Sequence, residues 1–89
     1  MVNKQLYLIK TMEVTITNTT DKCIFMQIAP RNESIRFANF IADVGLKIME
    51  LRVNYLCNQS TLIIYKQPNV DMGKTLDYLI KSFSNYEQR

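Results

Sequence analysis

The residue types on which most protein chemistry depends are scarce in this chain. It has no His and no Trp, and only two Cys, two Gly and two Pro. Without imidazole there is no Ser–His or Cys–His nucleophile pair and no histidine general base. Cys23 and Cys57 cannot fill a tetrahedral structural zinc site, and the carboxylates show no clustered spacing that would complete one. Met72-Gly73-Lys74-Thr75 ends in the Gly-Lys-Thr of a phosphate-binding loop. Pro68, however, stands where that loop needs its first Gly, and glycine is what lets backbone amides converge on phosphate.

Glu13, Glu33, Asp43, Glu50, Asp71, Asp77 and Glu87 each read as a helix-end or solvent-facing acid, with no sign of two sharing a desolvated cleft. Cys23 falls in an apolar strand pattern and is expected to act as a small buried hydrophobe, whereas Cys57 falls near a turn. The expectation is a protein that is not an enzyme, with no catalytic residue, no cofactor and no metal.

Charge narrows the partners. Eleven Lys and Arg against eight Asp and Glu give +3, and residues 1–30, 31–57 and 58–89 each carry a net +1. A nucleic-acid binder concentrates its bases so that several phosphates are neutralised together. No such run occurs here. The apolar N-terminal stretch is interrupted by Lys10 before it reaches the length of a signal-peptide core, and no segment approaches the ~18 apolar residues of a membrane span. A cytoplasmic protein with free thiols is expected, and the Asn18, Asn32 and Asn58 glycosylation triplets then count as chance matches.

The elements that must position the side chains follow from periodicity. Residues 6–17 alternate as a strand with one buried face, Asn18-Thr19-Thr20-Asp21 is turn chemistry, and residues 23–29 are again strand-like, so a hairpin is predicted. Asn32 is the predicted N-cap of a helix over 32–44 that ends at Gly45. Its apolar residues cover an arc of about 220° on the helical wheel, far wider than a surface helix needs. Residues 46–57 alternate as a half-exposed strand, and residues 60–66 form a strand whose centre, Leu62-Ile63-Ile64, is apolar on both faces. Asp71 caps a last helix whose apolar residues, Met72 to Tyr86, share one face, with Asp77 and Lys81 paired on the other.

The predicted fold is therefore α+β: a two-layer sandwich in ββαββα order, with a mixed four-stranded sheet and two helices on one face, all in one domain spanning residues 1–89. From residue 22 onward this order, with Gly before the second strand in Asp43-Val44-Gly45-Leu46-Lys47-Ile48, resembles in topology the ferredoxin-like ACT-type regulatory fold. The resemblance stops at the effector loop. That family commonly carries an acidic-Arg-Pro-Gly loop after its first strand, where this chain has Ala29-Pro30-Arg31-Asn32-Glu33 and no Gly. The family's fourth strand has no counterpart after the last helix unless the N-terminal strand takes its place, so the resemblance implies a fold and no ligand site.

The chain carries more apolar surface than two helices on one sheet face can hide. Either the N-terminal hairpin folds over the second face, or that face or the outer side of helix 32–44 meets another protein. The second reading predicts a regulatory or binding protein, homodimeric, that touches its partner through Phe37, Phe40, Leu62 and Ile64. The alternative is a small nucleic-acid-binding module that stacks bases on strand aromatics (Tyr7, Phe25, Tyr55, Tyr65) beside a basic rim of Lys10, Arg52 and Lys66.

Overall fold

A computed structural model describes the backbone of residues 5–9 and 12–87 and the side-chain environments of residues 12–83. The elements are β1 (Gln5–Ile9), β2 (Met12–Thr19), β3 (Cys23–Ala29), α1 (Arg31–Asp43), β4 (Ile48–Asn54), β5 (Gln59–Tyr65) and α2 (Met72–Glu87). They form the α+β sandwich expected. The sheet, in the order β1-β2-β3-β5-β4, is one strand wider than expected. The alternating stretch over 6–17 is two strands that pair antiparallel, with Leu8 opposite Glu13 and Ile9 opposite Met12. A single strand of that length would overrun the seven-residue β3 and leave backbone groups unpaired, whereas doubling back supplies their partners.

Every pair of neighbouring strands is antiparallel. β3 and β4, joined through α1, run parallel to each other, but β5 occupies the gap between them. This is the split β-α-β arrangement. β2 pairs with the other side of β3, in the position that a fourth strand after α2 would fill in the ferredoxin-like order. The N-terminal hairpin therefore widens the sheet in its own plane and does not fold over a face.

The ends of α1 are set by different residues than the sequence suggests. The helix begins at Arg31, after Pro30, and Asn32 lies inside its first turn with no capping bond. The cap comes from far along the chain. The Arg31 amide donates to Asn58 Oδ1 in the β4–β5 turn (3.1 Å), and the Arg31 guanidinium donates to the Tyr55 carbonyl and stacks on the Tyr55 ring 5.0 Å from its centroid. At the other end Gly45 takes φ +97°, and its amide and that of Leu46 close on the carbonyls of Ala42 and Ile41, as a left-handed helix stop requires. Asp71 caps α2 as predicted, its carboxylate accepting from the Lys74 amide at 3.2 Å.

The core lies between the two helices and the face of the sheet formed by Val14, Met26, Ile28, Leu62 and Ile64. Phe83 of α2 meets Phe37 edge-on at 5.2 Å between centroids, with 78° between the rings, and meets Phe40 at 5.4 Å. The centre of the apolar arc of α1, at Phe37, Ala38, Phe40 and Ile41, is thus covered by the sheet on one side and by α2 on the other, while Ile35 and Val44 stay about half exposed. That corrects the expected contact set: Phe37, Leu62 and Ile64 are 0% exposed and Phe40 9%, so all four are enclosed by their own chain and offer nothing to a partner. The wheel shows how wide the apolar arc is but not that α2 docks against it.

Two hydroxyls sit in this apolar layer. Ser34 Oγ and Ser60 Oγ are 2.8 Å apart, and both residues are buried. Each satisfies the other, and Ser34 Oγ also donates to the Arg31 carbonyl.

Truncation of the core should be costly. Phe37→Ala and Leu62→Ala should each lower unfolding free energy by about 2–5 kcal/mol in urea titrations, and Phe40→Glu or Leu62→Glu should unfold the chain. Full native circular dichroism in Leu62→Glu would contradict this assignment.

Candidate functional site

Strand alternation puts successive side chains on opposite faces, so burying Val14, Met26, Leu62 and Ile64 commits the other parity to the face without helices. The register assembles that face in rows. Cys23 lies opposite Tyr65, Phe25 opposite Ile63, and Ile63 opposite Glu50. The next row reads Thr15, Gln27, Thr61, Arg52. One half of the face is therefore apolar, formed by Cys23, Phe25, Ile63 and Tyr65, and the other half is polar.

A bulge shapes the apolar half. Between Ile48 and Glu50 the register of β4 against β5 shifts by one residue, leaving Met49 as the extra residue. Met49 reaches Cys23, with its sulfur 3.7 Å from Cys23 Sγ, while remaining about half exposed at 49%. Tyr65 is 43% exposed, whereas Ile63 is 1% exposed although it is not part of the core between sheet and helices. A second bulge in β2, between Ile16 and Asn18, brings Thr17 Oγ1 to the Phe25 carbonyl at 3.4 Å.

Of the expected basic rim, Arg52 and Lys66 lie in separate places. Arg52 is on the open face, hydrogen-bonded and ion-paired to Glu50, which raises the guanidinium pKa and balances its charge. Lys66 lies beyond the end of β5, at a separate cleft of about 510 Å³ lined by Ile16, Ile24, Asp71, Met72 and Leu76. Lys10 falls outside the described residues, as does the side chain of Tyr7. Of the remaining aromatics, Phe25 and Tyr65 share the open face, while Tyr55 stands in the β4–β5 turn, 77% exposed under Arg31.

The Gly-Lys-Thr segment opens α2 at that same cleft, but the Asp71 cap takes the Lys74 amide and the Asp71 carbonyl takes the Thr75 hydroxyl. A phosphate there would meet a carboxylate where it needs free amides. Among the described residues no group of three or more His, Cys, Asp or Glu is placed to hold a metal ion. No helix is long and apolar enough to cross a membrane.

Phe25, Met49, Ile63 and Tyr65 are not among the protein-contact residues expected from the sequence, although Phe25 and Tyr65 are among the aromatics expected to stack bases in the nucleic-acid alternative. A signal for them was present. Glu13, Thr15, Gln27, Thr61 and Arg52 share their parity, so the more polar parity of the sheet marks the uncovered face and the apolar residues within it mark its centre. The fold and this face define a small α+β protein with a one-sided antiparallel sheet. Comparison with protein-family models, with curated proteins and with solved structures gives no match.

Both cysteines are free, Cys23 buried and Cys57 exposed. A thiol reagent such as dithionitrobenzoate should therefore titrate one thiol per native chain, with the second reacting only in denaturant. Two fast thiols in the native protein would mean that the apolar half of the face is loosely packed.

Proposed function

We propose that this chain is a small non-enzymatic binding protein, homodimeric, that engages another protein through the helix-free face of its sheet. The observation that carries the reading is the accessible part of the apolar half-face, Met49 and Tyr65 beside the half-buried Phe25, bounded on one side by the polar row Thr15, Gln27, Thr61 and Arg52. An apolar centre with a polar, hydrogen-bonding border is the anatomy of a protein–protein contact. Met49 and Tyr65 supply it with a flexible thioether and a rigid ring, both suited to packing against a facing surface.

Electrostatics favour protein over nucleic acid as the partner. Phosphate binding gains affinity from cations that release counterions, and the one arginine on this face is already paired with Glu50. Stacking on Phe25 and Tyr65 would then lack the cationic groove that tracks a nucleic-acid backbone.

Met49 and Tyr65 are exposed enough to change without disturbing the core. Met49→Glu and Tyr65→Glu should keep the wild-type circular dichroism spectrum and melting temperature within a few degrees. A photoreactive benzophenone side chain introduced at position 65 should yield adducts in the native cell that protease removes and nuclease does not, and that Met49→Glu diminishes. Nuclease-sensitive adducts, or salt-sensitive binding of single-stranded oligonucleotides, would overturn the reading.

A further inference from the structure

β4 is an edge strand, and no described element lies beyond it. An edge presents unpaired amides and carbonyls, and natural sheets protect such edges with charge, bulges or cover. The Met49 bulge breaks the first part of β4, but from Glu50 to Asn54 the register against β5 is unbroken. Among the described residues no strand pairs with the outer edge of that run. Its sequence is Glu50-Leu51-Arg52-Val53-Asn54, with opposite charges symmetrically placed about Leu51.

We propose that two copies of this chain pair antiparallel through β4, with a twofold axis at Leu51, to make one continuous ten-stranded sheet. The inference rests on the homodimer part of the proposed function and specifies its geometry. In this register Leu51 lies opposite Leu51 of the second copy, Glu50 opposite Arg52, and Arg52 opposite Glu50. Opposite charges directly across an antiparallel pair stabilise it, and like charges destabilise it. Any parallel in-register pairing would instead set Glu50 on Glu50 and Arg52 on Arg52. The charges therefore select one register and one direction.

The same twofold accounts for the most exposed apolar group in the described chain. Leu56 is 99% exposed and Tyr55 77%, both at the tip of the β4–β5 hairpin. Antiparallel pairing about Leu51 carries this tip toward residues Val44 to Lys47 of the second copy, where Val44 is itself 48% exposed. The tip is held for that approach by the bonds of Arg31 to the Tyr55 carbonyl and to Asn58 Oδ1. Because the axis is perpendicular to the sheet, both helix pairs lie on one side and the two open faces lie together on the other. The dimer doubles the binding platform.

The test is charge reversal in trans, read by sedimentation velocity at micromolar concentration. Wild type should be a dimer. Glu50→Arg and Arg52→Glu should each dissociate about tenfold more readily, because each places like charges across both halves of the axis. An equimolar mixture of the two variants should recover wild-type dimerisation as a heterodimer, since Arg faces Glu at both positions. The Glu50–Arg52 pair within each chain remains broken in that mixture, so recovery reports contact between chains, and unchanged melting temperatures exclude misfolding. Single variants that stay dimeric, or a mixture that stays monomeric, overturn the β4 pairing while leaving a wild-type homodimer intact. A monomeric wild type overturns both the pairing and the homodimer reading.

Discussion

Phe83 packs edge-on into Phe37 and against Phe40, and the one-sidedness of the molecule depends on that contact. α1 presents an apolar surface too wide for the sheet alone to cover. α2 docks beside it and covers Phe37 and Phe40 with Phe83, which fixes both helices to the same face. Phe83 is wholly enclosed between the two helices. A contact between two helices thus determines that a sheet surface stays bare.

The bare surface is tolerable in water because its residues are unevenly distributed. Glu13, Gln27 and Arg52 leave half of it polar, and Ile63 near its centre is only 1% exposed. Solvent meets mainly Met49 and Tyr65. A full row of exposed aliphatic residues would be an aggregation surface, whereas a few half-exposed groups around a buried one suit regulated association. The β4 bulge is part of this arrangement, since without the extra residue Met49 would fall out of reach of Cys23.

Much of this was legible in the sequence, where local chemistry decides local structure. Gly45 ends α1, Asp71 caps α2, the chain reverses at Thr20 to Lys22 within and just after the predicted turn, and alternation marks the strands. Features fixed by distant residues were not legible. Asn58 caps α1 from 27 positions away, and no window around Asn32 could reveal that. The reversal between β1 and β2 lacks Gly, Pro and Asn, so nothing local marks it. Phe37, Phe40, Leu62 and Ile64 looked unsatisfied because a helical wheel counts apolar residues but not the elements that will cover them. The excess of apolar surface was real, but it lies on the opposite parity of the same strands and at the hairpin tip, in Tyr65, Met49 and Leu56.

An open edge and an open face together pose a problem of closure. If the free edge of β4 could pair with any strand, sheets would add without limit, as in cross-β assemblies. A self-complementary edge avoids this, because a twofold contact uses the same surface of both copies and consumes it. In the proposed pairing the charges of Glu50 and Arg52 would act as selection as much as attraction: antiparallel registers shifted by two residues, and the in-register parallel one, set like charges opposite each other, whereas the symmetric antiparallel register sets Glu50 on Arg52 twice. The bulge at Met49 contributes again, because it ends the flat run of β4 just before Glu50 and so prevents the pairing from sliding toward the start of the strand. In the dimer proposed above, closure at the edge would leave the doubled face free, so the geometry that limits self-association would also present that face to a different partner.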